Sequence, residues 1–283
     1  MANLKTEHLS YVYSAGTPFE KKAVDDVSIE IKEGEIIGVI GHTGSGKSTL
    51  IQHLNGLLKP TSGKILLDGK DIWEKNYPIR QARFKVGLVF QYPEYQIFED
   101  TVYKDIAFGA KNMGLDEKET DKRVRETAEE VGLSENLLKK SPFELSGGQK
   151  RRVAIAGVMA MRPEILILDE PTAGLDPNER IRFRNLISEL SEDRLVLLST
   201  HIVSDIEYIA NEILLMKDGK LMHKGTADEI INSMTETVWE CFVEKNMVSD
   251  FMKKYKISNM KSEADGVILR IISHEKPFVN AQS

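Results

Sequence analysis

Two patterns of apolar and polar positions alternate along the first part of the chain. Residues 4–13 and 27–31 switch between apolar and polar side chains, which predicts strands with one buried and one exposed face. Residues 35–40 (EIIGVI), 165–168 (ILIL) and 195–198 (LVLL) are instead nearly unbroken apolar runs. Such runs predict short strands that are buried on both faces.

Helical periodicity occurs between these strands. Residues 178–190 predict a helix between two buried strands, and residues 116–140 predict a charged helical insert with apolar residues at helical spacing. Two more strands are predicted over residues 63–68 and 85–90. Because buried strands alternate with helices, the pattern predicts an α/β domain built on a parallel sheet.

The pattern changes near residue 233. Residues 248–255 predict a helix, and residues 267–271 alternate as a strand does. A chain of 283 residues is long enough for about two domains. We therefore expect one large domain over residues 1–232 and a small extension over residues 233–283.

Composition and charge narrow the possible functions. With 44 acidic and 38 basic residues, a net charge of −6, the chain lacks the cationic surplus that drives general binding to nucleic acid or anionic lipid. Its single cysteine, Cys241, excludes an internal disulfide, fits a reducing cytosolic compartment and is expected to be buried. The sequence contains neither the apolar run of a signal peptide nor the ~18 to 20 apolar residues of a membrane span. Work at a membrane would therefore require a membrane partner.

Residues 41–48 (GHTGSGKS) fit the pattern G-x-x-x-x-G-K-[ST]. They follow the buried strand 35–40 and open a helix predicted over residues 48–57, which is the context that a phosphate-binding loop requires. The glycines let backbone N–H groups turn toward phosphate oxygens, and the helix N-terminus favours negative charge. Lys47 is predicted to contact the β- and γ-phosphates, and the Ser48 hydroxyl to ligate Mg²⁺.

Two carboxylates follow the buried strand 165–168. Parallel α/β sheets bind ligands at the carboxyl ends of their strands. Asp169 is predicted to hold Mg²⁺, and Glu170 to orient and deprotonate an attacking water. An acidic turn after a strand is common by itself, but the phosphate-binding loop favours the functional interpretation here.

A second glycine-containing segment, residues 145–149 (LSGGQ), precedes a helical run over residues 150–161. Ser146 is predicted to cap this helix, and the two glycines leave its first amides uncovered, so the helix start can receive an anion. One phosphate-binding loop does not need two such sites on one nucleotide. The segment is therefore predicted to serve the nucleotide of a partner molecule.

These three motifs together resemble the ATP-binding cassette (ABC) ATPases over about residues 4–232. The resemblance implies a P-loop NTPase cassette of α/β class. Its parts are a RecA-like parallel-sheet core, an antiparallel β subdomain, a helical subdomain at about residues 92–160 and a short C-terminal α+β extension. It also implies a head-to-tail dimer that encloses two ATP molecules, with ATP and Mg²⁺ as cofactors.

Other elements of the family pattern follow one at a time. Gln91 matches the glutamine that senses Mg²⁺ and the attacking water, and His201 matches the histidine that contacts the γ-phosphate. Residues 173–176 (AGLD) resemble the loop that communicates across the dimer. Tyr13 matches the aromatic residue that stacks on adenine, with Tyr11 as its competitor; either tyrosine could instead pack within the sheet.

The site implied by the resemblance has three groups of residues. Catalysis is assigned to Glu170, His201 and Gln91. Mg²⁺ is assigned to Ser48, Gln91 and Asp169. The nucleotide on the same chain is assigned to Tyr13, Gly41, His42, Thr43, Gly44, Ser45, Gly46, Lys47, Ser48 and Thr49. Contacts to the nucleotide across the dimer are assigned to Leu145, Ser146, Gly147, Gly148, Gln149 and Asp176.

Residues 90–98 (FQYPEYQIF) and 101–109 resemble the ATPase subunits of energy-coupling factor (ECF) transporters, importers of vitamins and metal ions. Residues 42–47, 52–57 and 141–145 are most similar to the second of their two ATPase subunits. The resemblance implies a heterodimer with another cassette ATPase, a membrane coupling subunit, a substrate-binding membrane subunit and no nucleic acid. It also implies a peripheral location on the cytoplasmic side of the membrane, and a contact between ATPases through the extension.

Alternatives remain open at the level of sequence. The apolar residues of segment 92–98 are typical of a partner site, but they could instead fold back into the core. An ATPase of another ABC transporter, a soluble cassette ATPase of repair or translation, and a non-hydrolysing assembly subunit share the same motifs. The transported substrate is not encoded in a subunit that does not touch it.

Overall fold

The computed structural model describes residues 3–32, 34–233 and 236–277. The chain divides into two compact units, residues 1–226 and 227–283. This boundary lies six residues before the predicted one, because the helix over Ala227–Ser233 groups with the second unit. Within the described ranges, no helix combines the length and the apolar character needed to span a bilayer.

A six-stranded sheet forms the centre of the first unit, in the order β10-β9-β3-β8-β7-β6. The five strands from β9 to β6 are parallel, and β10 pairs antiparallel with β9. The strands are β3 (Ile36–Ile40), β6 (Val86–Val89), β7 (Ile165–Asp169), β8 (Leu195–Thr200), β9 (Glu212–Lys217) and β10 (Lys220–Gly225). Every residue of β7 and β8 is buried, which agrees with their unbroken apolar sequences.

A second, antiparallel sheet has the order β2-β1-β4-β5, and β3 of the parallel sheet lies between β2 and β4 in the sequence. Its strands are β1 (Asn3–Tyr13), β2 (Lys21–Lys32), β4 (Ser62–Leu67) and β5 (Lys70–Asp71). The prediction for β2 was too short, because the strand continues from residue 27 back to Lys21, where it pairs with Tyr13. This pairing satisfies the backbone of a polar segment that has no apolar alternation of its own.

Helices pack against the parallel sheet and build the helical region. They are α1 (Lys47–Leu54), α2 (Ile79–Lys85), α3 (Val102–Asn112), α4 (Glu117–Glu130), α5 (Gly147–Met159) and α6 (Pro177–Leu190). The prediction that α1 runs to residue 57 was wrong, because the helix is capped at Asn55 and Gly56 has a φ of 72°. Helix α3 was not predicted, although Thr101 caps its start.

The second unit contains its own small sheet, in the order β11-β13-β12. Helix α7 (Ala227–Ser233) precedes β11 (Thr237–Val243), α8 (Val248–Lys254), β12 (Lys256–Ser262) and β13 (Val267–Ser273). Cys241, Leu269 and Ile271 are fully buried in its core. The predictions of a helix near residue 248, a strand near residue 267 and a buried cysteine are confirmed.

Candidate active site

The phosphate-binding loop connects β3 to α1 and depends on glycines for close packing. Gly46 has a φ of 102°, and a Cβ atom there would lie 2.3 Å from the Ala23 carbonyl oxygen. A Cβ atom on Gly41 would lie 2.4 Å from Ser45 Oγ. Ser45 is buried, and its hydroxyl has no hydrogen-bond partner among the described residues. The glycines therefore keep the loop tightly folded, and its backbone N–H groups are the donors that a phosphate can use.

Lys47 is the first residue of α1, and its side chain is buried. Its Nζ donates hydrogen bonds to the carbonyl oxygens of Gly41 at 2.7 Å and His42 at 3.3 Å. The same Nζ lies 3.4 Å from Glu170 Oε1. A cation held by carbonyl oxygens and a single carboxylate at the start of a helix can exchange these acceptors for phosphate oxygens.

Asp169 ends β7, and its carboxylate accepts a hydrogen bond from the Ser199 hydroxyl of the neighbouring strand β8. Burial raises the pKa of the Asp169 carboxyl above its ordinary value, and hydrogen bonds from Ser199 and Ser48 oppose this effect. The Ser48 hydroxyl thus lies beside a desolvated carboxylate. Hard oxygen donors of this kind suit Mg²⁺.

Glu170 follows Asp169 with a φ of 47°, a left-handed backbone that non-glycine residues seldom adopt. Its N–H donates to the Ser199 carbonyl oxygen at 3.0 Å, which fixes the turn to β8. Its carboxylate contacts the Lys47 Nζ through one oxygen and the His201 Nδ1 through the other. The side chain is thus held between two groups that stabilise negative charge.

The predicted residues Tyr13, Lys47, Ser48, Gln91, Glu170 and His201 line one cleft of about 350 Å³. Thr43, Gly44, Gly46 and Thr49 also line it, together with Lys21 and Ala23. Tyr13 is 39% exposed and its hydroxyl lies 3.3 Å from Thr49 Oγ1. Tyr11 instead packs against His53, with ring centroids 4.7 Å apart. The geometry favours Tyr13 over Tyr11 as a residue that can meet a base in the cleft.

Residues 145–149 are not among those that line this cleft. Ser146 caps α5, and Gln149 closes a reciprocal capping box with it: the Ser146 N–H donates to Gln149 Oε1 at 3.0 Å. Asp176 caps α6, where its carboxylate accepts 2.9 Å hydrogen bonds from the N–H groups of Asn178 and Glu179. The structure therefore divides the predicted nucleotide contacts into two surfaces.

Segment 92–98 combines buried and exposed side chains. Pro93 is buried, whereas Tyr95 and Phe98 are 84% and 64% exposed. The Phe98 ring packs edge-on against Phe108 of α3, which is also exposed. The segment thus keeps an aromatic surface, and only part of it folds back against the unit.

Sequence analysis missed Ser199 and Lys21, two polar residues near the cleft. Ser199 contacts both Asp169 and the N–H of Glu170. A polar pair, Ser199 and Thr200, at the end of an apolar strand was the signal that could have found it. Lys21 lines the cleft from the start of β2, and no pattern in the sequence marks it.

Comparisons with known proteins agree with this geometry. Residues 24–173 match the family model described as ABC transporter. The energy-coupling factor transporter ATP-binding protein EcfA2 of Clostridium tetani is 55% identical over 235 residues, which cover 82% of each chain. The EcfA2 of Acetivibrio thermocellus is 46% identical over 256 residues, or 90% of each chain.

Solved structures give the same result. CbiO1 from Clostridium perfringens, part of the ABC transporter complex CbiONQ, has a TM-score of 0.73 and 41% identity over 81% of this chain and 90% of that one. A dimeric ATP-binding cassette, solved in a post-hydrolysis state with ADP and Pi, has a TM-score of 0.70 and 28% identity, over 79% of this chain and 98% of that one. The predicted fold class is confirmed. The chain belongs to the ABC transporter ATPases and, within them, to the energy-coupling factor transporter ATP-binding proteins.

Proposed function

We propose that this chain binds ATP in the cleft beside Lys47 and hydrolyses it as an ATPase subunit of an ECF importer. The observation that carries the proposal is the position of the Glu170 carboxylate, between Lys47 at 3.4 Å and the His201 ring. A carboxylate placed beside the groups that receive a γ-phosphate can activate water at that phosphate.

The binding step uses the phosphate-binding loop. ATP phosphates displace the carbonyl contacts of Lys47, and the loop N–H groups donate to the phosphate oxygens. Tyr13 stacks on the adenine ring from the open end of the cleft. Release of Lys47 toward the phosphates also frees Oε1 of Glu170, while Oε2 stays in contact with His201.

The hydrolytic step uses Glu170 and His201. The Glu170 carboxylate accepts a proton from a water molecule as the water oxygen attacks the γ-phosphorus and the bond to the β-phosphate oxygen breaks. His201 holds the carboxylate through its Nδ1 and contributes to charge stabilisation at the γ-phosphate. Gln91, exposed two residues after the end of β6, positions the same water.

A Mg²⁺ ion fits the donor set of this cleft. Ser48, Asp169 and Gln91 would hold it together with phosphate oxygens, since the described residues contain no group of three His, Cys, Asp or Glu side chains that could hold a metal alone. When bound, Mg²⁺ would neutralise charge on the β- and γ-phosphates. The buried Asp169 carboxylate gains a counter-charge in this way.

The proposed working form is a dimer with a second ABC ATPase, in which residues 145–149 and Asp176 meet the nucleotide of the partner subunit. Both EcfA2 relatives and the CbiO1 structure belong by name to transporter systems, and CbiO1 is part of the ABC transporter complex CbiONQ. We propose a heterodimer on the cytoplasmic side of the membrane, attached to a coupling subunit and a substrate-binding subunit. Uptake of a vitamin or another micronutrient is the proposed role, and nucleic acid has no part in it.

Affinity purification of the tagged chain from detergent-solubilised membranes of its own cells tests this proposal. We expect mass spectrometry to find a second, different cassette ATPase and a protein with several membrane spans, and we expect the purified complex to hydrolyse ATP. Recovery only in the soluble fraction, or with ribosomes or DNA, would contradict the transporter role and leave the ATPase chemistry in place.

A further inference from the structure

Arg151 of helix α5 is a buried cation close to the site, with a side chain that is only 4% exposed. It lies five residues after Ser146 in the sequence. Its Nη1 donates to the Pro171 carbonyl oxygen at 2.9 Å, and its Nη2 donates to the Ala173 carbonyl oxygen at 3.1 Å. Both carbonyls belong to the turn that directly follows Glu170, so one guanidinium binds the backbone on which Glu170 depends.

The counter-charge of Arg151 comes from Glu94, 57 residues earlier. Arg151 Nη2 lies 3.1 Å and 3.2 Å from the two Glu94 carboxylate oxygens, and Nε donates to one of them at 3.3 Å. This forked geometry is available to arginine and not to lysine. Glu94 lies in segment 92–98, whose residues Tyr95 and Phe98 are exposed. The exposed segment and the catalytic turn therefore share one buried guanidinium.

The turn after Glu170 is held from a second side as well. The hydroxyl of Thr172, between the two carbonyls that Arg151 binds, contacts the buried carboxylate of Asp205. Asp205 follows His201 by four residues. Glu170 itself has a left-handed backbone with a φ of 47°, which persists only when surrounding contacts fix it. Loss of the Arg151 contacts would remove one of the supports of this conformation.

We propose that Arg151 is a positioning residue for hydrolysis, which fixes the turn that carries Glu170 and is itself oriented by Glu94. The inference rests on the proposed function, because it assigns Arg151 a role in the step that Glu170 performs. If a membrane partner displaces segment 92–98, Glu94 moves Arg151, and Arg151 in turn shifts the turn that carries Glu170. Arg151 touches neither nucleotide nor water in this scheme, so its effect falls on turnover and not on ATP binding.

The test compares Arg151→Lys with Arg152→Lys in the complete complex. Lysine keeps the charge of Arg151 but cannot bind both carbonyls and the Glu94 carboxylate at once. We expect kcat for ATP hydrolysis to fall about tenfold, with KM for ATP within about twofold. Arg152 is the matched control, since it also donates to carbonyl oxygens, those of Val131 and Gly132 at 3.3 and 3.4 Å, away from the catalytic turn. We expect its variant to keep kcat within about twofold.

A second variant tests the role of Glu94. Glu94→Gln removes the charge and keeps the shape, and we expect kcat to fall about threefold to fivefold. Because both residues act through one contact, the double variant should be no slower than Arg151→Lys within about twofold. Multiplied losses, an unchanged kcat for Arg151→Lys, an equal loss for Arg152→Lys, or a rise in KM alone would each overturn the inference.

Wild type and Glu170→Gln in the same assay separate this inference from the proposed function. Hydrolysis by wild type that is lost in Glu170→Gln supports the proposed function, and a normal Arg151→Lys then overturns the positioning role alone. Normal turnover by Glu170→Gln would overturn both, because no catalytic role of Glu170 would remain for Arg151 to support.

Discussion

Helices α1 and α5 both begin in glycine-containing segments, but their glycines meet different surroundings. At α1, Gly46 has a positive φ and no room for a Cβ atom, because the Ala23 carbonyl oxygen would lie 2.3 Å away. At α5, a Cβ atom on Gly147 would meet nothing within 4 Å. Contacts within the chain therefore require a glycine at position 46. No contact within the described part of the chain requires one at position 147.

The caps of the two helices also differ: α1 has no side-chain cap, and α5 has one. Gly46 offers no side chain to the first amides of α1, so these N–H groups are open to phosphate. At α5, Ser146 and Gln149 cap each other within the chain. The start of α1 is thus the proposed binding site that one chain completes, and the start of α5 is a surface whose proposed ligand comes with the partner subunit. Each prediction below tests one side of this difference.

The largest expected effect comes from Glu170, which lines the same cleft as the start of α1. Glu170→Gln keeps the size of the side chain and removes the proton acceptor, so we expect kcat of the complex to fall about 10³-fold. ATP affinity should remain within about twofold, measured by equilibrium titration of the isolated chain. Glu164→Gln is the control, because Glu164 lies before the same strand β7, at its opposite end. Normal turnover by Glu170→Gln would reject the assignment of the base.

The next largest effect is expected for Lys47, at the step of ATP binding to the start of α1. Lys47→Ala removes the charged donor for the phosphates, and we expect ATP affinity of the isolated chain to fall about 10- to 100-fold. The control is Lys118→Ala on helix α4, where the side chain is exposed. An unchanged affinity for Lys47→Ala, with the control also unchanged, would count against the phosphate role of the loop.

The parts of this site that are local in sequence were predictable. The unbroken apolar runs of β3, β7 and β8 predicted a buried parallel sheet, and the residues after those strands then had to meet at one edge. Lys47, Glu170 and His201 line one cleft because of this rule. Their roles in binding and hydrolysis stay predictions, which the variants above test.

The parts that depend on long-range contacts were not predictable. Strand β2 extends to Lys21 through its pairing with Tyr13, which the polar sequence of that segment does not indicate. The contact between Arg151 and Glu94 joins residues 57 positions apart, and although both lie in or beside distinctive segments, nothing in those segments pairs the two residues. The boundary at residue 226 depends on which neighbours helix α7 contacts, and periodicity carries no information about that.

A substitution at Gly147 tests the proposed role of the start of α5. Gly147→Ala places a methyl group in open space at the first turn of a helix, so we expect the stability of the isolated chain to stay equal or rise by up to about 1 kcal/mol. ATP affinity of that chain should not change. If the amides of α5 face the nucleotide of the partner subunit, the added methyl group should lower turnover of the complex about tenfold.

The matched variant is Gly46→Ala, whose Cβ atom would contact the Ala23 carbonyl oxygen and whose φ is 102°. We expect this variant to lose ATP binding already in the isolated chain. Full turnover of a complex that carries Gly147→Ala would contradict the proposal that the start of α5 contacts the nucleotide of the partner subunit.

The smallest expected effect concerns the stability of α1, which contains His53, a fully buried side chain. Burial lowers the pKa of His53, so the folded state favours the neutral ring, whose Nδ1 donates to the Thr49 carbonyl oxygen at 2.7 Å. The unfolded chain binds a proton near the ordinary pKa of about 6.5. The stability that the neutral ring provides is therefore complete above this pH and is lost as the pH falls through it, by at most about 1.4 kcal/mol per pH unit.

Denaturant unfolding of the nucleotide-free chain at pH 7.5 and pH 5.5 measures this effect. We expect wild type to lose more free energy of unfolding than His53→Leu between the two pH values, since leucine has no proton to gain. Helix α5 contains no histidine and no acidic residue, so hydrogen exchange corrected for pH should report the loss of protection in α1 before α5. An equal pH dependence of wild type and His53→Leu would show that His53 does not set it, and the two helices would then differ in their glycines and caps alone.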